Sequence, residues 1–267
     1  MRPADAPAIP TAAPPALAGQ RAVLTGGGSG IGRATVLALA AAGAEVAILD
    51  VDRDGAEGTC HEVTAAGGRA FALHASVADP RSVATAFAAI DERWGAIDLL
   101  VNNAGVSGNR AALDIDDDEW RRIMAVNLDG VFFCARAAGR RMIAQGHGSI
   151  VNIGSIYSVV AAPQRLSYCA SKAAVAMLTK TLAIEWAAKG VRVNCVAPGY
   201  VNTPLLQALD AEGRIDLAAL ERRTPQRRLG TPEDIAQAVV YLCEPRSAHV
   251  TGQVLAVDGG WSAYGYL

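Results

Sequence analysis

The sequence is short of lysine, of long apolar runs and of paired cysteines, and each shortage narrows what the chain is built to do. Lysine stands only at Lys172, Lys180 and Lys189, so positive charge is carried almost wholly as arginine and each lysine stands out. No apolar stretch reaches the roughly 18 residues that a bilayer crossing needs, and no membrane segment is expected. The five cysteines, Cys60, Cys134, Cys169, Cys195 and Cys243, are odd in number, never form a C-x-x-C pair and sit in apolar contexts. Reduced core thiols in a cytoplasmic protein are the expectation. His61, His74, His147 and His249 have no metal-ligand spacing, so no metal site is expected. Net charge is −2, and the basic residues are dispersed apart from the pairs Arg222-Arg223 and Arg227-Arg228. Those pairs read as a solvated helix face or loop, and no nucleic-acid footprint is visible.

What is present is enough apolar residue for a core. With 267 residues, 51% of them hydrophobic, the chain reads as one soluble domain of α/β size. Residues 1–18 are mostly Ala and Pro, lack the basic start and apolar run of a signal peptide, and read as a flexible arm before a domain over 19–267. Short β-branched runs then alternate with Ala-rich helical stretches, the pattern of βαβ units and a parallel sheet. Strands are expected at 22–25, 45–49, 70–73, 99–102, 149–153, 192–196 and 254–257. Helices are expected at 31–42, 54–66, 81–94, 116–145, 167–189 and 232–242, the 116–145 helix with a break at Asn127-Leu128. Asp79-Pro80 and Thr231-Pro232 have the form of an N-cap followed by proline at the first helical position. Gly43, Gly67-Gly68, Gly95 and Gly190 stand where helices should stop. The stretch 200–230 breaks the alternation and is expected to lie over the carboxyl ends of the strands.

Thr25-Gly26-Gly27-Gly28-Ser29-Gly30-Ile31-Gly32 follows the first strand and opens the first helix. Glycines there permit a tight turn and close approach of backbone to a pyrophosphate, while the helix N-terminus supplies oriented N–H groups. A glycine-rich run alone is often only a turn; strand, loop and helix in this order are the context a dinucleotide site demands. Asp50 closes the second strand, placed to accept from a ribose 2′-hydroxyl and to repel a 2′-phosphate, which favours NAD over NADP. Arg33 and Arg53 are the nearby cations that oppose this preference.

Tyr168 and Lys172 lie four apart, stacking a phenol and an ammonium on one helix face. An unperturbed tyrosine titrates near ~10, and bringing it near neutrality takes roughly 4 kcal/mol of differential stabilisation, much of which one adjacent cation in a dehydrated site supplies. Taken alone the pair also fits a solvated surface helix. Ser155, at the end of the apolar run 149–153, adds a third candidate group.

These motifs, with Asn102-Asn103-Ala104-Gly105, Pro198-Gly199 and Asp258-Gly259-Gly260, resemble the classical short-chain dehydrogenases/reductases over nearly the whole chain. The resemblance implies a single-domain Rossmann fold, a doubly wound parallel sheet of about seven strands flanked by helices. It implies NAD-dependent interconversion of a secondary alcohol and its ketone. Ser155 would bind the substrate oxygen, Tyr168 would exchange its proton, and Lys172 would lower the tyrosine pKa while binding the nicotinamide ribose. Asn127 would hold a water of the proton relay, with a plain helix-kink role as its alternative. The cofactor would be bound by Gly26, Ser29, Gly30, Ile31, Gly32 and Asp50, with Asn103 and Gly105 on the adenosine side. Pro198, Gly199, Val201 and Thr203 would turn around the carboxamide, beside Tyr168 and Lys172. Ser76-Val77 stands where the family usually has Asp-Val, so a neutral hydroxyl replaces the acid that accepts from adenine, at a loss of about 1 kcal/mol. Thr25 would tie the glycine loop to a neighbouring strand.

By the same analogy Ser107, Asn109, Tyr157, Gln164 and Tyr200 would face the substrate, with Leu205 and Leu206 as an apolar wall. Their polarity points to a polyol, sugar or other hydroxylated small molecule; a loop or surface role is the alternative for each. A 3-oxoacyl or other ketone reductase has nearly the same grammar, and a catalytically silent NAD-binding regulator is a third reading. The family implies a homotetramer, and the aromatic tail 261–267 is expected at a subunit interface.

Overall fold

The computed structural model describes residues 15–265 except residue 214 and the side chain of Leu205. Strands β1 (Arg21–Thr25), β2 (Glu45–Asp50), β3 (Arg69–His74), β4 (Leu99–Asn102), β5 (Gly148–Ile153), β6 (Val191–Pro198) and β7 (Val254–Val257) form one sheet in the order β3-β2-β1-β4-β5-β6-β7. Every pairing is parallel. The expected doubly wound sheet is therefore present, and its order reverses beside β1, opening a crevice at the carboxyl ends of β1 and β4.

The central strands are mostly apolar because both faces are covered, with Asn102, Asn152 and Asn194 among the buried polar exceptions. Leu24, Ile48 and Val101 point into one core with Val36 and Leu39 of α1 (Gly30–Ala41) and Ile235 and Val239, while Val23, Ala47 and Leu100 point into the other with Phe87, Ile90 and Ala135. The second core is closed by α3 (Pro80–Trp94), α5 (Gly130–Gln145) and α6 (Leu166–Trp186), and the first by α1 with α9 (Pro232–Cys243). Local grammar sets the ends. Asp79 accepts from the Arg81 N–H ahead of α3, and Thr231 forms a reciprocal capping box with Asp234 at α9. Gly95 stops α3 in the left-handed conformation, φ 69°. The helix α2 (Arg53–Ala65) lies between β2 and β3.

Two differences from the sequence reading stand out, and one expectation is met. Part of the expected arm is packed: Leu17 is buried in the first core and its N–H donates to the Ala42 carbonyl at 2.8 Å. The remainder of the arm, residues 1–14, lies outside the described residues. The 200–230 stretch holds two helices, α7 (Pro204–Ala211) and α8 (Leu217–Arg223), capped by Thr203 and Asp216. The expected long helix has its break where it was expected: α4 (Asp117–Met124) gives way to a π-helical turn (Ala125–Asp129) that holds Asn127-Leu128, and α5 follows. Among the described residues no helix is long and apolar enough to cross a membrane.

Candidate active site

The crevice is a cleft of about 530 Å³ running from the glycine loop to α7. At its first end, β1 turns into α1 through a loop that only glycine can make. Gly26 sits at φ +72°, and an added Cβ on Gly32 would lie 1.8 Å from the Gly26 carbonyl oxygen. Thr25 Oγ1 accepts from the Asn103 and Ala104 N–H groups, each at 3.1 Å, and so ties the loop to β4. Asn103 Nδ2 donates to the carbonyls of Thr25 at 3.1 Å and Gly26 at 2.7 Å, which commits the amide to holding the loop. Ser29 precedes α1 without a side-chain bond to it, so the N–H groups of the first turn are left for an external acceptor at the cleft wall.

Asp50 accepts from the Gly28 N–H at 2.8 Å and the Asp52 N–H at 2.9 Å, one on each carboxylate oxygen. Each oxygen keeps a lone pair for a hydroxyl. Arg33 is committed to Glu62 through both its Nε and its Nη2, whereas Arg53 is exposed. Ser76 and Val77 line the same end, with the Ser76 N–H donating to Ser82 Oγ at 3.0 Å. The orphan donors of α1, the crowded glycines and the Asp50 carboxylate fit a nicotinamide dinucleotide. Gly105 lies at the other end of that span: an added Cβ would be 3.6 Å from Lys172 Nζ. Gly199 passes so close to the strand-end residue Asp258 that a Cβ would lie 2.8 Å from its Cα. Val201 bridges to Gly230, fixing the segment that carries Thr203 beside Gly30.

Ser155, Tyr168 and Lys172 come together where β5 ends. Ser155 caps a short 3₁₀ turn (Ile156–Ser158), its Oγ accepting from the Tyr157 N–H at 3.2 Å. Ser158 Oγ donates to the Lys172 carbonyl at 2.9 Å, joining that turn to α6. Lys172 is buried, donates Nζ to the Ile153 carbonyl at 2.8 Å and lies 5.7 Å from the centre of the Tyr168 ring. Burial pushes its pKa down to about 8. Burial pushes the Tyr168 phenol up, opposed by its hydrogen bond with Ser155 and by the charge of Arg165. The expected lowering of the tyrosine by Lys172 is thus not a property of the protein alone. The ammonium gives one of its three N–H donors to a backbone carbonyl and keeps two, and the raised phenol of Tyr168 is neutral near pH 7.

Asn127 is fully buried and does not line the cleft. The π-helical turn brings its side chain to Val106, accepting from the N–H at 2.8 Å and donating to the carbonyl at 2.9 Å. Its second N–H donates to Ser171 Oγ at 3.2 Å, and Ser171 donates to the Tyr168 carbonyl at 2.8 Å. Both amide donors are committed; one lone pair of Oδ1 is left for a water.

At the substrate end Ser107, Tyr157 and Tyr200 line the cleft, with the two phenol oxygens 2.7 Å apart. Tyr157 meets Tyr168 edge to face at 6.2 Å. Leu206 and Leu209 of α7 supply an apolar wall; the Leu205 side chain lies outside the described residues. Two expected residues are elsewhere. Gln164 takes a left-handed backbone, φ 61°, which turns it out to solvent. Asn109 faces the adjoining groove with Asp116 and Glu119, accepting from Ser107 Oγ at 3.1 Å. One residue was missed. Arg165 lines the cleft, and its place one helical turn before Tyr168 was the available signal. The tail folds onto the same end: Trp261 packs on Tyr200 at 4.9 Å, and Arg223 lies over both Trp261 and Tyr264. Tyr266 and Leu267 lie outside the described residues.

Among the described residues no group of three or more His, Cys, Asp or Glu side chains is placed to hold a metal. A family model described as enoyl-(acyl carrier protein) reductase matches residues 26–262. The chain is 43% identical over 249 residues to cis-4-hydroxycyclohexanecarboxylate dehydrogenase of Sinomonas cyclohexanicum, covering 93% of this chain and 98% of that one. It is 43% identical over 250 residues to the L-tagatose-forming galactitol 2-dehydrogenase of Cereibacter sphaeroides, covering 93% and 97%. Among solved structures, the gluconate 5-dehydrogenase of Burkholderia cenocepacia in complex with NADP and tartrate superposes with TM-score 0.87 at 40% identity, covering 93% and 97%. The chain belongs to the short-chain dehydrogenase/reductase family. It is an oxidoreductase acting on CH–OH groups of small molecules.

Proposed function

We propose that the protein is an NAD-dependent dehydrogenase that oxidises a secondary alcohol of a polyol, sugar or other hydroxylated small molecule and reduces the ketone in reverse. The observation that carries this reading is the placing of Ser155, Tyr168 and Lys172 together on the wall of one cleft, whose far end is Asp50 and the glycine loop. The nicotinamide, when bound, supplies the hydride acceptor or donor. Ser155 holds the substrate oxygen. Tyr168 gives its phenolic proton to that oxygen in reduction and takes it back in oxidation. Lys172 holds the ribose and biases the phenol toward release of its proton, and Asn127 keeps Val106 and Ser171 in register around it. The wall from α7 keeps water from the reacting carbon.

NAD is favoured by the Asp50 carboxylate, which repels a 2′-phosphate, and by the engagement of Arg33 with Glu62. The same carboxylate weighs against a biosynthetic 3-oxoacyl reductase. Exposed Phe132 on α5 and Met177 and Ile184 on α6 support a homotetramer, and free cysteines support a cytoplasmic setting. Sedimentation as a monomer at micromolar concentration counts against the tetramer.

The test is absorbance at 340 nm with NAD and a panel of secondary alcohols. Turnover is expected, and Tyr168→Phe should lower kcat by roughly 10³-fold while NAD binding stays within about twofold. Wild-type protein that binds NAD tightly yet oxidises no alcohol and reduces no ketone refutes the reading.

A further inference from the structure

The substrate end of the cleft contains a cation that the proton-transfer machinery does not use. Of the charged side chains lining the cleft, Asp50 stands at the adenosine end and Lys172 is bound to the Ile153 carbonyl; Arg165 is the third. Its backbone is fixed. Arg165 caps α6, its carbonyl accepts from the Cys169 N–H at 2.8 Å, and it bridges to Arg110. Its Nη1 donates to Ser107 Oγ at 3.0 Å, while Ser107 donates onward to Asn109.

The acids nearby belong to the other arginine. Arg110 takes Glu119 at 2.7 Å and Asp116 at 4.0 Å, and no described carboxylate pairs with Arg165. A half-buried guanidinium has five N–H donors in a planar fork, and here one of them is committed. An unpaired cation withdrawn from water is costly and becomes favourable when an anion supplies the missing acceptors. Its charge is felt at the reaction centre, acting on both Tyr157 and Tyr168. Arg165 also lies one helical turn, about 5 Å along the axis, from Tyr168, so one small molecule spans both groups.

We propose that Arg165 binds a carboxylate of the substrate, so that the alcohol oxidised at Tyr168 is a hydroxy acid rather than a neutral polyol. This rests on the dehydrogenase reading above. The guanidinium grips the carboxylate through paired N–H donors, with Ser107 fixing the fork and the Tyr157 and Tyr200 hydroxyls beside it for the remaining substrate oxygens.

The experiment compares small hydroxy acids, beginning with cis-4-hydroxycyclohexanecarboxylate, each with its own carboxamide, by NAD reduction at 340 nm. For wild-type protein kcat/KM for the acid should exceed that for the amide by roughly tenfold or more. In Arg165→Met the ratio should collapse toward one through the KM of the acid, and Arg165→Lys should keep part of it. NAD binding by fluorescence reports whether the variants are folded. Should they fail to fold, succinate must inhibit wild-type oxidation of whichever alcohol is turned over, competitively with that alcohol, and succinamide must not. A wild-type ratio of one or less, a ratio kept in folded Arg165→Met, or equal inhibition by succinate and succinamide overturns the proposal. Absence of any alcohol oxidation or ketone reduction instead overturns the dehydrogenase reading itself.

Discussion

Lys172 donates its Nζ to the carbonyl of Ile153 at 2.8 Å, so the last residue of β5 holds the ammonium that α6 brings into the site. Among the described residues that carbonyl is its one hydrogen-bond partner, and burial lowers its pKa to about 8 from an ordinary value near 10.5. The folded protein therefore binds this proton less readily than the unfolded chain. Below pH 8 it bears the full cost of a buried ammonium, which is relieved as pH rises from 8 to 10.5. Lys172→Met should accordingly make the cofactor-free protein more stable at pH 7, by up to about 3 kcal/mol, with the advantage shrinking above pH 8. Urea unfolding at pH 7 and pH 10 checks this. A difference that does not change with pH contradicts it. The same variant should lose NAD affinity, placing function and stability in opposition at this residue.

Asp50 offers a second measurement. Asp50→Asn keeps the size of the side chain and removes the charge that repels a 2′-phosphate. The ratio of kcat/KM with NAD to that with NADP should fall by roughly tenfold or more, in line with the loss of one charged hydrogen bond. An unchanged ratio assigns cofactor choice to other groups, with the exposed Arg53 the first to substitute.

A third concerns stability in acid. Asp98 is buried and accepts from the Arg21 N–H at 2.8 Å, from Arg21 Nε at 2.9 Å and from His147 Nε2 at 3.1 Å. Burial pushes its carboxyl up, yet the bonds from Arg21 and His147 outweigh that and hold it below the usual carboxylate range. The folded pKa is depressed, so the stabilisation is present above the unfolded value near ~4 and is lost as pH falls through the folded one. Asp98→Asn should cost about 3 kcal/mol at pH 7 and flatten the acid limb of the stability curve. A parallel downward shift at every pH would locate the loss in packing rather than charge.

The alternation of apolar strands with Ala-rich helices was legible because a parallel sheet buries both faces of its strands, and the boundaries at Asp79, Gly95 and Thr231 follow from capping chemistry. The break at Asn127 was legible for a physical reason too: a side-chain amide that bonds backbone competes with the helix around it. The substrate end was less so. Whether Gln164 or Arg165 enters the cleft depends on a single left-handed residue ahead of α6, which polarity does not signal. Helices α7 and α8 escaped because each is short, and α7 depends on packing beside the cleft more than on a long periodic pattern. The behaviour of Lys172 was hidden for a different cause, since sequence spacing places the ammonium near Tyr168 but says nothing of the Ile153 carbonyl that claims it.

The rings of Tyr168, Tyr157, Tyr200 and Trp261 form a continuous line from the proton donor to the chain's tail, at spacings of 6.2, 6.5 and 4.9 Å, and Arg223 clasps its end. A fault introduced at Trp261, more than ninety residues from Tyr168 in sequence, is therefore felt at the wall of the reaction chamber through Tyr200 and Tyr157.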